Sequence, residues 1–297
     1  MLLAVAARRR QPRSRRRTTL ACNVGNAFRY SAGMPYNLFP GSPNLRSLLS
    51  RHAIRSQWRS NGPVVVSAII VICTAIWVVE LLLSLVWPAG LEALVGFGRI
   101  APLTALQRPW TFITSMFLHQ PRTLLHILFN MLTLWSVGPV LERLMGHWPF
   151  LILYMLSGIG GGAGMMVWAA LAPGYQGWLT AAYGASGALF GLFAAMMVVF
   201  RRTGQEMTSM FIWMAINFAM PLIVPGIAWQ AHVGGFVVGG LLTLLLTQAP
   251  RLRRRTGSVR PRADLLTRTL AWGAVLLAVM IAVMLACEVA NPIGLFS

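Results

Sequence analysis

Charge is scarce in this chain. Aspartate, glutamate, lysine and arginine together make up 10% of its 297 residues, far below the roughly 25% of soluble globular domains. With 57% apolar residues and a mean hydropathy of +0.66, that scarcity excludes a soluble domain. Lysine is absent: all 25 basic residues are arginine. The alternating segments of about 10 residues that build transmembrane barrels are missing too. Cysteine is sparse and scattered, at Cys22, Cys73 and Cys287. That spacing implies neither a metal site nor a disulfide framework, so free thiols are expected and no metal or cofactor is. What the chain does have is a series of apolar runs approaching or exceeding the roughly 20 residues needed to cross a bilayer. The expected fold class is an all-α polytopic transmembrane bundle.

Seven spanning segments are expected, at about Val64–Val86, Leu124–Leu141, Phe150–Leu171, Ala185–Phe200, Met207–Val224, Ala231–Thr247 and Leu265–Val289. Residues 1–62 read as a basic, disordered cytoplasmic extension, with no apolar stretch after its arginine runs to make a signal peptide. Met34 is an alternative start. Residues 63–249 form a six-helix membrane core, 250–264 a basic cytoplasmic loop, and 265–297 an additional helix with a short outer tail. The connection Trp87–Thr123 is long and apolar, which suits a loop dipped into the membrane with short helices of its own.

The net charge of +19 could suggest nucleic acid, but its distribution argues for topology. With the N-terminus in the cytoplasm, 22 arginines fall inside and only Arg99, Arg108 and Arg122 outside, as the positive-inside rule requires. The C-terminus then lies outside. Membrane lipids are expected partners and nucleic acid is not.

Polar side chains in such sequence pair with one another or line a wet cavity, and ionisable ones are functional candidates. Ser186 opens the fourth segment and His232 opens the sixth, both at the outer end. A serine hydroxyl becomes a nucleophile when a base takes its proton, and histidine is the usual base. Free N–H groups at the helix start could stabilise an oxyanion beside the serine. His126 and Asn130, four residues apart, share one face of the second segment and are candidate oxyanion donors. Each of these residues also has a purely structural reading. Gly187 with Gly191, and Gly235 with Gly239, are spaced for close helix packing, and Ser186 fits that role as a small residue. His126 and Asn130 could simply hold helices together. Ala188 breaks a Gly-x-Ser-x-Gly elbow. Glu80 is the one acidic residue high enough to orient His232, and a structural role suits it as well, so a Ser-His dyad is the expected unit.

Gly184-Ala185-Ser186-Gly187 resembles the nucleophile motif of the rhomboid family of intramembrane serine proteases. Ala231-His232 followed by Gly235 and Gly239 resembles the family's last core helix. His126 to Asn130 looks like its His-x-x-x-Asn, and Gly138, Glu142 and Gly146 its Gly-x-x-x-Glu-x-x-x-Gly. Thr114 to His119 is similar to the segment leading into that helix. The resemblance covers about Gln107–Gly240 and suggests a six-helix core with one C-terminal helix. It implies Ser186 as nucleophile, His232 as general base and His126 and Asn130 as oxyanion donors. Phe190, one turn after Ser186, would pack on the histidine ring. The implied activity is serine endopeptidase cleavage in or near transmembrane segments of membrane proteins. A catalytically inactive relative that binds membrane clients is the alternative, and a transporter or channel a further one. The chain departs from the family at Arg108-Pro109-Trp110, where Trp-Arg is usual.

Overall fold

A computed structural model describes residues 51–203, 208, 212, 214–216, 228–248 and 261–293. Among the described residues there is no strand, only an antiparallel bridge between Ile100 and Ala182. The helices are α1 (Arg51–Arg59), α2 (Val64–Val86), α3 (Pro88–Gly98), α4 (Thr111–Thr114), α5 (Leu124–Met145), α6 (His147–Leu171), α7 (Gln176–Leu179), α8 (Ser186–Thr203), α9 (Trp229–Gln248) and α10 (Pro261–Glu288), with a short 3-10 turn at Pro102–Thr104. Helices α2, α5, α6, α8, α9 and α10 are long and apolar enough to cross a membrane. The expected fifth segment, Met207–Val224, lies outside the described residues except for helical positions 208, 212 and 214–216.

The basic extension expected over 1–62 also lies mostly outside the described residues, but its end is not without structure. Helix α1 forms there because the core holds it. The Trp58 ring stacks on His147 at 4.0 Å, and the Trp58 carbonyl oxygen lies 3.0 Å from His147 Nε2. Of the expected loop 250–264, residues up to 260 are undescribed and the rest begins α10.

The first turn of a helix leaves N–H groups without intrahelical partners, which is costly at membrane depth. Glu142, fully buried on α5, meets this need for α2. Its two carboxylate oxygens accept from the N–H groups of Val65 and Val66, both at 2.9 Å. Gly146 then turns the chain at a positive φ of 90°, and α6 starts at His147, whose Nδ1 bonds Glu142 at 2.6 Å.

Helix α6 is the centre of the bundle and packs on α8, α9 and α10. Lipid gives helices no hydrophobic reason to associate, so contact depends on close backbone approach. A Cβ on Gly234 of α9 would collide with the Gly160 carbonyl oxygen of α6. On the α8–α9 face, a Cβ on Gly235 would collide with the Gly187 carbonyl oxygen, and one on Gly239 would lie 2.5 Å from Gly191 Cα. Matched glycines in this order mean that α8 and α9 run parallel with their N-termini side by side. Helices α2 and α10 lie at the periphery, where exposed Val71, Leu85, Val275 and Val279 present apolar surface suited to lipid.

Candidate active site

The first residues of α8 and α9 meet where the glycine seam brings their backbones together. There the Oγ of Ser186 lies 2.9 Å from Nε2 of His232. The Phe190 ring, one turn along α8, stacks on the His232 ring at 4.1 Å and 13°. Stacking and burial leave the imidazole little freedom to rotate away from the serine. Among the described residues no hydrogen-bond partner reaches His232 Nδ1. Ser186 begins its helix, so its N–H is one of the groups without an intrahelical acceptor.

A cavity of about 490 Å³ adjoins this pair, and Ser186, His232, His126 and Asn130 all line it. The Gln120 N–H points at His126 Nδ1 at 3.2 Å. A nitrogen that accepts a hydrogen bond carries no proton, so the neutral His126 ring holds its proton on Nε2. That nitrogen faces Gly184, where a Cβ would sit 2.9 Å from it and 4.0 Å from Ser186 Oγ. Asn130 spends one amide N–H on the His126 carbonyl oxygen at 2.8 Å, which leaves one N–H on the amide.

The segment entering Ser186 is clamped on both sides. Ile100 and Ala182 exchange backbone hydrogen bonds at 3.0 and 2.8 Å, and the Gly184 N–H bonds the Ser115 carbonyl oxygen at 2.8 Å. Gly184 itself has φ 135°, a conformation that side chains disfavour.

Glu80 does not reach His232. Its carboxylate instead accepts the His119 N–H at 3.0 Å. His119, Gln120 and Tyr183 were not singled out by sequence reasoning as site residues. The Tyr183 hydroxyl donates to Gln120 Oε1, and Trp77 Nε1 donates to the Gln120 carbonyl oxygen at 3.3 Å. His119 closes the Thr114–His119 segment and Gln120 follows it in a polar string ahead of His126, whereas no sequence signal marks Tyr183. Burial, and then the nearby His126, push His119 down to about 3, against the hydrogen bond to the Phe117 carbonyl oxygen. Burial and then Glu80 push the Tyr183 phenol up, with Arg99 opposing. Both groups are therefore neutral at pH 7. Glu142, Gly191, Gly235 and Gly239 lie at helix ends and crossings away from the cavity, whereas Gly187 both lines it and meets Gly235.

A family model described as "Rhomboid domain" matches residues 106–249. Similar curated proteins include Rhomboid-type serine protease 2 of Emericella nidulans, 34% identical over 171 residues, which are 55% of this chain and 32% of that protein. The rhomboid YdcA of Bacillus subtilis is 38% identical over 149 residues, 48% of this chain and 70% of YdcA. Rhomboid protease GluP, also of Bacillus subtilis, is 33% identical over 156 residues, 50% of this chain and 28% of GluP. The chain thus spans about a third of the first and third relatives and most of the second.

Proposed function

The chain belongs to the rhomboid family, and from that premise we propose that it is an intramembrane serine endopeptidase that hydrolyses peptide bonds in or near transmembrane segments of membrane proteins. The observation that carries the proposal is the 2.9 Å contact between Ser186 Oγ and His232 Nε2 beside a cavity. Ser186 Oγ attacks the scissile carbonyl carbon while its proton passes to His232 Nε2. The carbonyl oxygen, now negative, is met by the Ser186 N–H, the Nε2–H of His126 and the remaining amide N–H of Asn130. His232 returns the proton to the leaving amine. Water then attacks the acyl-serine with His232 again as base; the acyl–Oγ bond breaks as His232 returns that proton to Ser186 Oγ, and the two product chains separate.

A helical substrate hides its carbonyls in i to i−4 hydrogen bonds, so the cleaved stretch must unwind locally, and glycine or proline there would help it. The dyad lies at the end of the bundle opposite Arg143, Arg201 and Arg202. The arginine distribution argues that the arginine-rich end faces the cytoplasm, which puts the dyad toward the outer leaflet.

The test is cleavage of a model transmembrane substrate by purified protein in liposomes. Ser186→Ala and His232→Ala should each lower the rate by about 10³-fold or more with unfolding temperatures retained. A fluorophosphonate should label Ser186 in the unsubstituted protein. Cleavage by either variant at the original rate would sink the mechanism. A folded protein whose Ser186 takes no label would favour the inactive client-binding role.

A further inference from the structure

Glu80 is fully buried in the last third of a strongly apolar span, a position where a carboxyl group requires a reason. Its Oε2 accepts the N–H of His119. One turn earlier on the same helix, Trp77 Nε1 donates to the carbonyl oxygen of Gln120. Helix α2 therefore grips the His119–Gln120 dipeptide at both ends. Gln120 in turn has two partners at the site. Its N–H reaches His126 Nδ1, and its side-chain oxygen accepts the hydroxyl of Tyr183, which directly precedes Gly184.

We infer that Glu80, assisted by Trp77, is a positioning residue for the oxyanion half of the site. It fixes the backbone at residues 119–120 so that the Gln120 N–H holds His126 in its Nε2–H form, with that proton aimed at the space above Ser186. The inference rests on the donor role proposed for His126. The physical requirement is strict. An imidazole whose Nδ1 lost its donor would exchange protons between its nitrogens, and the Nδ1–H form offers the oxyanion a lone pair where it needs a proton. The 119–120 segment lies outside any helix, and its local backbone tie is one long bond, from the Thr123 N–H to the Gln120 carbonyl oxygen at 3.4 Å. Two hydrogen bonds from a spanning helix hold it in place, and they tie a site-facing histidine to a rigid element.

The tests are Glu80→Leu, which removes the acceptor, Glu80→Gln, which keeps an acceptor oxygen, and Trp77→Phe, which removes the second grip without changing charge. Glu80→Leu should lower kcat by about tenfold or more and leave KM within about twofold, with Glu80→Gln restoring most of the rate. In a His126→Ala background the same substitution should have little further effect, because the donor it positions is already gone. Trp77→Phe should act in the same direction, by a few-fold, and it carries the test should Glu80→Leu fail to fold.

Nitrogen chemical shifts of His126, read on histidine-labelled protein and assigned with His126→Ala, should report the Nε2–H form in the unsubstituted chain. In Glu80→Leu, or in Trp77→Phe if that variant alone folds, they should report a mixture. Unchanged His126 shifts in the folded variants would overturn the inference, as would an equal loss of rate with and without His126. The shifts need no turnover. Failure of the unsubstituted protein to cleave would therefore count against the proposed function alone.

Discussion

Gly184 is the residue on which the approach to Ser186 turns. At φ 135° it occupies backbone space that side chains rarely enter, and a Cβ would lie 2.9 Å from His126 Nε2, in the space the oxyanion is proposed to fill. Gly184→Ala is therefore expected to cost about 1–3 kcal/mol of stability through backbone strain. It should also lower the cleavage rate by about 100-fold by displacing the donor. Thermal unfolding and substrate cleavage on one preparation check both. Cleavage at the original rate would show that His126 Nε2 is not in the reaction path. At this scale the sequence was informative about identity and uninformative about state. Ser186, His232, His126 and Asn130 were all legible as candidates because polar residues stand out in apolar surroundings. Which nitrogen of His126 carries the proton was not legible, because the Gln120 N–H that decides it comes from a non-helical turn held by a different span.

The helix crossing sets the distance between serine and histidine. Gly235 meets the Gly187 carbonyl, and a Cβ there would also lie 2.8 Å from the Gly187 carbonyl carbon and 3.0 Å from the Ser157 carbonyl oxygen. These are backbone atoms of two neighbouring helices, α8 and α6, and cannot turn aside as a side chain would. Gly235→Ala should separate α8 from α9, lower the unfolding temperature through overpacking of about 1–3 kcal/mol, and reduce cleavage by about 100-fold as the dyad opens. Gly96→Ala serves as the control, since a Cβ there meets nothing within 4 Å. Equal behaviour of the two variants would remove the crossing as the cause. The two Gly-x-x-x-Gly pairs announced close packing of some kind, since their spacing lies on one helix face. Their mutual register, and the additional seam of Gly160 and Gly164 against Gly234, depend on where α6 sits. Glu142 shows the same division. Its place in a motif was visible, but its task of receiving the first N–H groups of α2 required the folded arrangement.

Across the whole molecule, parallel α8 and α9 leave Thr203 and Trp229 at opposite ends of the bundle, and the arginines sort by end. Arg143, Arg201 and Arg202 lie away from the dyad, whereas Arg99 adjoins the Ile100–Ala182 bridge beside it. If the arginine-rich end is cytoplasmic, a tag after Ser297 should be digested by protease added to intact cells, and a tag before Met1 only after permeabilisation. The reverse pattern would invert the proposed orientation.

Length, apolarity and arginine placement determined by themselves that this chain is a helical membrane bundle, because crossing hydrocarbon demands long apolar helices and positive charge resists translocation. Its motifs were sufficient to suggest the family. Only the tertiary structure decided that Glu80 serves His119 and not His232, that Trp58 and His147 hold α1 in place, and that three helices approach through glycine to set one serine 2.9 Å from one histidine. Such contacts join residues far apart in the chain. Their distances follow from how whole helices pack, which no local pattern of residues records.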